Sequence, residues 1–484
     1  MTQSLHYTCV VGVFCGTDGE LASLHSSKYA CPLGLLVMLT ALKRVYPEIN
    51  AIVYNLEVTS GEVLRRDIVQ YISEYGQGHV LVCMTLTAGN VPQCMRWAQE
   101  LRDLGCHIFI GGPEVTAVTA PFYAKHPFIN GCVVGGGENI LPIIVEQGFG
   151  VGENIFTKEH SPNTTIWHPF DFVNAGVDYN LLYALSSHKG ISALFAGDCA
   201  LTATGQRCVF CGRATMGHSS RPDPKVFWDE LETAHAAGVD IIYNTADTVG
   251  VYPREFNELA TAVPTWRQQV LAEKPEPERW MKAFMNATQL TDEFCYCAKA
   301  VGARFAIGVE SLTDIQIAGK GNTQIGHIER AFQRASRFGV PLIATSIAGL
   351  PGTGSESWEA DTEAMLNFYT SYAADGTLVW VTHSPLLIIL GSRLFLQVLE
   401  KMGLSAQDPT YWPRESRWEA YNPIRMTAYY YDQFCGGSYE EAVQSVCGFL
   451  EKAKGVFGNR ITLDSKGMDP DLWLLYGESL RSSV

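Results

Sequence analysis

Residues 198–217 read DCALTATGQRCVFCGRATMG and follow an apolar, strand-like run at 191–196. Cys199, Cys208 and Cys211 therefore hang on one loop at the end of a strand, where parallel α/β folds display their chemistry. Three thiolates so placed can hold three irons of a 4Fe–4S cluster and leave the fourth iron open. A zinc site would want a fourth donor, and His218 stands close enough in sequence to supply one. Cysteines that merely pack as small hydrophobes are the third reading. Cys9, Cys15, Cys31, Cys83, Cys94, Cys106 and Cys132 are irregularly spaced, mostly among apolar residues, and suit that plainer role. A disulfide framework is not expected in a chain of this size.

Strand and helix patterns alternate on both sides of this loop. From 186 to 400, strands are expected at 191–196, 241–244, 283–286, 304–309, 342–347 and 378–382, with helices such as 224–237 and 328–338 between them. Six such units predict a (β/α)6 partial TIM barrel with its active site at the C-terminal strand ends. Residues 1–150 alternate likewise, with strands at 7–14, 51–56, 79–85, 108–111 and 132–134 and helices at 33–45, 63–74 and 91–104. This predicts an α/β, Rossmann-like, doubly wound parallel sheet whose glycine-rich strand ends take a ligand. Residues 151–185, carrying Pro162 and Pro169, read as a linker. Residues 401–484 read as a small, mostly helical C-terminal domain, with helices at 426–434 and 439–454, that shapes the substrate pocket. The aromatic stretch 411–431 could stack on a ring of a ligand or fill a core, and core filling is the favoured reading.

Among 484 residues, 35 Lys and Arg face 50 Asp and Glu, a net charge of -15. Such a surface repels phosphate, so neither nucleic acid nor an anionic membrane is an expected partner. The hydrophobic content of 47% excludes a disordered chain. The longest apolar run, 377–391, is broken by His383 and Pro385, and residues 1–16 show no basic leader before an apolar stretch. A cytoplasmic protein of two to four domains is expected.

With Phe210 before its last cysteine and a strand before it, the cysteine loop resembles that of radical S-adenosylmethionine (SAM) enzymes. Further pieces fall in the family's order. Asn244-Thr245-Ala246-Asp247 ends the second barrel strand, and Gly308-Val309-Glu310-Ser311 ends the fourth, similar to the family's GVES segment. Gly349-Leu350-Pro351-Gly352-Thr353 resembles its GLPG turn, and Leu390-Gly391-Ser392-Arg393-Leu394 its PGT-x-L ending. The cysteine spacing, C-x8-C-x2-C, departs from the usual C-x3-C-x2-C; Gly205 lets the longer loop turn. Upstream, Cys31-Pro32-Leu33-Gly34, Thr85-Leu86-Thr87, Gly111-Gly112-Pro113-Glu114-Val115-Thr116 and Gly135-Gly136-Gly137-Glu138 resemble the cobalamin-binding domain of one large radical SAM class. None of the twelve histidines has Asp two residues before it, so the resemblance implies cobalamin held without a histidine ligand.

The resemblance implies specific roles. Cys199, Cys208 and Cys211 would ligate the 4Fe–4S cluster; Thr245 and Asp247 would meet the SAM amino group. Glu310 and Ser311 would meet its ribose or carboxylate, and Gly349 and Pro351 would shape the adenine pocket. Thr85, Thr87, Gly112, Pro113, Glu114 and Gly136 would contact cobalamin. The implied chemistry is reductive cleavage of SAM to a 5′-deoxyadenosyl radical, which abstracts hydrogen from an unactivated carbon. Methylcobalamin then methylates that carbon of a small-molecule or peptide natural product. An external electron donor such as flavodoxin or ferredoxin is implied as well. The same cofactors also serve non-methylating oxidations, cyclisations and rearrangements, and a zinc-stabilised binding protein is the alternative from another class. His383, Trp380 and Tyr252 are candidates to face substrate, set against plain core packing for each.

Overall fold

The computed structural model describes residues 5–16, 32–87, 90–149, 154–157, 176–195, 199, 208–212, 223–245, 248–273, 280–313, 324–408 and 423–464. Strands such as VLVCMT are apolar throughout rather than alternating, which calls for cover on both faces. The first sheet supplies that cover. It holds β1 (Cys9–Phe14), β2 (Asn50–Asn55), β3 (Val80–Thr85), β4 (His107–Gly111), β5 (Gly131–Val133) and β6 (Ile155–Phe156), all parallel, in the order β2-β1-β3-β4-β5-β6. Helices α1 (Leu33–Val45) and α5 (Leu141–Gln147) share a core with Val10, Leu81 and Phe109 on one face. On the other, α2 (Gly61–Tyr75), α3 (Val91–Asp103) and the short α4 (Ala120–Tyr123) close over Val11, Val82 and Ile108. The strand order reverses between β1 and β3, so a crevice opens there outside the C-terminal strand ends.

The stretch expected to be linker contributes β6 and then follows the far edge of the same sheet. Leu182 bridges to Val53, Tyr183 N–H donates to Val53 O at 2.8 Å, and the Tyr183 ring stacks on Tyr54 at 4.6 Å. Asp178 N–H donates to Thr40 Oγ1 on α1 at 3.0 Å, and Val177 N–H donates to Glu230 Oε2 in the second domain at 2.7 Å. Leu36 and Leu39 of α1 belong to one continuous core with Phe227 and Trp228, so the two sheets share packing.

The second sheet runs in unbroken sequence order. It holds β7 (Ile191–Ala193), β8 (Ile242–Asn244), β9 (Met281–Met285), β10 (Ala303–Glu310), β11 (Leu342–Ala348), β12 (Leu378–Pro385) and β13 (Thr462–Asp464), all parallel. The helices are α6 (Pro224–Ala236), α7 (Pro253–Thr261), α8 (Thr265–Glu273), α9 (Asp292–Val301), α10 (Ile325–Phe338), α11 (Ser355–Ala374), α12 (Arg393–Lys401), α13 (Pro423–Phe434) and α14 (Tyr439–Phe457). Local chemistry sets their starts. Asp223 accepts from Lys225 N–H at 2.8 Å with Pro224 in the first turn of α6, and Ser438 and Glu441 form a capping box on α14.

Consecutive parallel order is consistent with part of a barrel wall, with β7 and β13 as its edges. The C-terminal stretch expected to be mostly helical thus also supplies a seventh strand, and α14 packs over β12 and α11. Met281, Ala283, Phe305, Ile307, Leu342, Ala344 and Val381 face the helices and are buried with Phe256, Phe294, Phe332 and Phe449. Alternation sends Tyr243, Lys282, Phe284, Arg304 and Trp380 to the other face, where each keeps partial exposure. No helix among the described residues is long and apolar enough to cross a membrane.

Candidate functional site

At the crevice of the first sheet, Asn90 ties the two strands that flank the order reversal. Its Nδ2 donates to Cys15 O beyond β1 and to Thr85 O at the end of β3, both at 3.1 Å. Its Oδ1 accepts from Thr87 N–H at 2.7 Å, which bends Thr85-Leu86-Thr87 outward. Leu86 N–H donates to Gly111 O at 2.8 Å, and Glu114 N–H donates back to Leu86 O at 3.2 Å. Gly112 sits at φ 102, and a Cβ there would lie 2.7 Å from Leu86 O and 2.8 Å from Thr85 Cγ2, so only glycine fits.

Thr116 Oγ1 accepts from Gly135 N–H at 3.0 Å and draws the third glycine turn to the same rim. Thr85, Thr87, Gly112, Pro113 and Gly136 thus share one partly exposed rim. Glu114 does not; it is buried, and Tyr123 OH donates to its Oε1 at 3.1 Å. The chain then makes a π-helical turn, Val115–Thr119, of a kind common at functional sites. Glu138, beyond the third turn, has its carboxyl pushed up by burial.

In the second sheet, Asn244 holds the exit of β7. Its Nδ2 donates to Phe195 O and its Oδ1 accepts from Phe195 N–H, both at 3.1 Å. Thr245 turns back to the same strand, its N–H and Oγ1 both donating to Ala193 O at 2.9 and 3.2 Å. Asp247 lies outside the described residues, as do Gly205 and His218. Cys208 and Cys211 close one turn, with Cys211 N–H donating to Cys208 O at 3.2 Å. The loop after β12 backs this turn. Leu394 N–H donates to Val209 O at 3.0 Å, and Gly212 packs beside Ile389 and Leu390.

Cys199, Cys208 and Cys211 are half-exposed, unbridged thiols. Most other described cysteines are buried, and burial pushes Cys9, Cys106 and Cys132 up to about 12, as expected of inert packing residues. Among the described residues no three His, Cys, Asp or Glu side chains converge as a metal site, these three cysteines included.

The fourth strand of the barrel wall ends irregularly. Its register with β11 shifts between Gly308 and Glu310, and Glu310 sits at φ 58 with Ser311 N–H donating to Val309 O at 2.8 Å. A non-glycine residue held there costs ~1–3 kcal/mol and persists only where its surroundings dictate it. Those surroundings are visible. Asp361 Oδ1 on α11 accepts from Leu312 N–H at 2.6 Å and Thr313 N–H at 3.1 Å, and Ser311 Oγ accepts from Thr313 N–H at 3.2 Å. Behind them Tyr369 is fully buried, its phenol pushed well up by burial and by the charges of Asp361 and Glu310.

After β11, Gly349 turns at φ 89 with the Tyr431 ring where its Cβ would be. Tyr430 OH donates to Gly349 O at 2.9 Å and Tyr431 OH to Ala348 O at 3.0 Å, while Pro351 is half-buried.

The three substrate candidates separate. Trp380 faces away from the helices, whereas His383 lies under α14, with Nδ1 2.8 Å from Ser346 Oγ and its ring 4.9 Å from Phe449. Tyr252 is partly buried against the helix-covered core at the start of α7. Asn90, Asp361 and Tyr431 are supports that sequence reasoning missed; the only signal for Asn90 was its place just before a helix, where Asn is common as a cap.

One apolar cluster draws the strand ends of both sheets together. Ala117, from the turn after Glu114, belongs to it with Ile347, Leu350, Leu386 and Leu390, and Val209 and Phe210 of the cysteine turn pack against it.

No family model and no curated protein matches the chain. Solved structures do. The radical SAM methyltransferase TsrM from Kitasatospora setae, with cobalamin and a [4Fe-4S] cluster bound, superposes with a TM-score of 0.61 at 16% identity, covering 94% of this chain and 91% of that one. TsrM with tryptophan substrate and a SAM analogue gives 0.60 at 14%, covering 99% and 100%. The cobalamin-dependent SAM radical enzyme OxsB, with aqua-cobalamin and SAM bound, gives 0.58 at 14%, covering 82% of this chain and 62% of that one. At such identities the likeness is one of fold: this chain carries the fold of cobalamin-binding radical SAM enzymes.

Proposed function

We propose that the chain is a cobalamin-dependent radical SAM enzyme that methylates an unactivated carbon of a small-molecule or peptide natural product. The observation that carries this reading is the shared apolar cluster of Ala117, Val209, Phe210 and Leu350, where the exit of β4 meets the cysteine turn and the turn after β11. The three thiols do not converge on one point among the described residues; by donor chemistry alone, three half-exposed thiols after one strand suit a cluster with an open iron better than a closed zinc site. Cys199, Cys208 and Cys211 would hold that cluster. Thr85, Thr87, Gly112, Pro113 and Gly136 would line the corrin, with Glu114 supporting them from within. Thr245, Asp247, Glu310, Ser311, Gly349 and Pro351 would receive SAM.

When bound, the cluster supplies the electron that cleaves SAM, and cobalamin supplies the methyl group. The chain itself orders the strand-end loops through Asn90, Asn244 and Asp361 and excludes water with the apolar cluster between them. The tryptophan held by TsrM supports a small-molecule substrate. Anaerobic reconstitution tests the reading. About four irons and about one cobalt per chain are expected, with 5′-deoxyadenosine formed under reduction and a product heavier by one CH2. Zinc without iron overturns it, and a product of unchanged carbon count removes the methyl transfer.

A further inference from the structure

Three histidines gather where the strands of the first sheet begin, at the end opposite the crevice. His6 precedes β1, His79 precedes β3 and His107 opens β4, and these strands are neighbours in the order β1-β3-β4. β1 rises about 20 Å between this end and the crevice, so the group is separate from the strand-end motifs. The backbone here is closely tied. His6 N–H and Tyr7 N–H both donate to Val145 O, at 2.9 and 3.0 Å, and Thr8 N–H donates to His79 O at 3.3 Å.

His79 Nδ1 lies 2.8 Å from His6 O. A carbonyl only accepts, so Nδ1 carries the hydrogen and Nε2 of the neutral ring keeps its lone pair. A metal-ligating histidine is commonly oriented in this way, by a carbonyl on its other ring nitrogen. The His6 ring stands beside it, the two ring centres 6.2 Å apart at an interplanar angle of 46°. Two imidazoles that share one tetrahedral zinc ion put their ring centres roughly 5–6 Å apart. Side-chain rotation alone therefore closes the pair on an ion. Gly148 leaves room for the His6 ring: its φ is 73, and a Cβ there would lie 3.0 Å from His6 Nε2 and Cδ2. Both histidines are exposed, so an ion reaches them from solvent.

His107 stays out of the pair. Its Nδ1 is held 2.6 Å from Tyr7 OH, and burial, with the charges of Arg102, His6 and His79, pushes its ring below the ordinary value. It remains neutral and adds no charge beside the ion. Among the described residues no third His, Cys, Asp or Glu converges with His6 and His79, so water completes the coordination.

We propose that His6 and His79 bind a divalent transition-metal ion, Zn2+, that clamps the starts of β1 and β3. Imidazole suits such an ion, whereas Mg2+ prefers oxygen donors. Asn90 ties the other ends of the same two strands, so the ion secures the sheet from below. The site goes beyond the enzymatic reading and does not depend on it.

The test is Zn2+ binding, by competition with a fluorescent chelator, to the full chain carrying Cys199→Ser, Cys208→Ser and Cys211→Ser. These substitutions remove the cysteine loop as a competing zinc site. About one Zn2+ per chain is expected, at micromolar affinity, with a raised melting midpoint that Mg2+ does not reproduce. His6→Gln and His79→Gln should each weaken binding at least ~10-fold and remove the rise. Without zinc their melting curves should match the parent, since both side chains are exposed. His327→Gln, on α10 of the other sheet, should leave zinc binding unchanged. No zinc bound, an affinity unaltered in both histidine variants, or an equal response to Mg2+ overturns the site.

Discussion

The hydroxyl of Tyr431 donates to the carbonyl of Ala348, the last residue of β11, at 3.0 Å. The same oxygen accepts from Leu386 N–H, just past β12, at 3.0 Å. One side chain of α13 therefore fixes the exits of two neighbouring strands. Leu386 N–H also donates to Ala348 O at 2.7 Å, so Tyr431→Phe removes two hydrogen bonds without orphaning either backbone group, an expected loss of ~1 kcal/mol. Urea denaturation measures that loss, and SAM binding to the folded variant should weaken, because the Gly349 turn rests on this ring.

Removing Cys208 or Cys211 should separate metal content from stability. Both thiols are half-exposed, so Cys208→Ser and Cys211→Ser are expected to leave the denaturation midpoint nearly unchanged while iron per chain falls after reconstitution. Cys83→Ser serves as the contrast. It buries a hydroxyl in the first core and should cost stability without touching iron.

Asn90→Ala deletes three hydrogen bonds at the crevice of the first sheet. Cobalamin uptake, followed by visible absorbance after desalting, should fall more than tenfold while SAM binding persists. Equal loss of both ligands would mean that the substitution acts through general unfolding.

Glu230 makes the junction between the sheets pH-dependent. Burial pushes its carboxyl up from 4.5 to about 8, opposed by the hydrogen bond from Val177 N–H and by the charge of Arg44. The folded form therefore keeps a proton that the unfolded form releases. The stability this group contributes is full below about 4.5 and is lost as the pH rises through about 8. Denaturation midpoints should decline across that window by at most ~1.4 kcal/mol per pH unit, and Glu230→Gln should flatten the decline.

The first sheet was legible in the sequence because both faces of its strands are covered, which makes them nearly uniformly apolar; β9 and β10 of the second were legible despite Lys282 and Arg304 on their less buried face. Leu33–Val45 appears as a helix with the bounds its periodicity gives. β6 and β13 were not legible, since strands of two and three residues are defined by register with a neighbour rather than by their own pattern. For His383 the sequence left both readings open, facing substrate or packing in the core. Counting by twos from the buried Leu378 puts it inside the barrel wall, but the register slips between Leu342 and Ile343 and Val379 is the extra residue. Past that slip every side chain changes face, which sends Trp380 inward and His383 under α14. The cysteine turn was legible from the spacing of Cys208 and Cys211 and the apolar run before them. Tyr431 was not, because an aromatic residue that braces a backbone looks the same in sequence as one that fills a core.

The last strand of the barrel wall has a consequence for how the chain is made. β12 cannot bury Val381 and His383 until α14 arrives, and its outer edge pairs only with β13, residues 462–464. During synthesis, β7 through β12 emerge with an unpaired edge and a bare apolar flank, and these remain until residues 439–464 have left the ribosome. Truncation before Tyr439 should therefore trap an aggregation-prone intermediate rather than yield a smaller soluble domain.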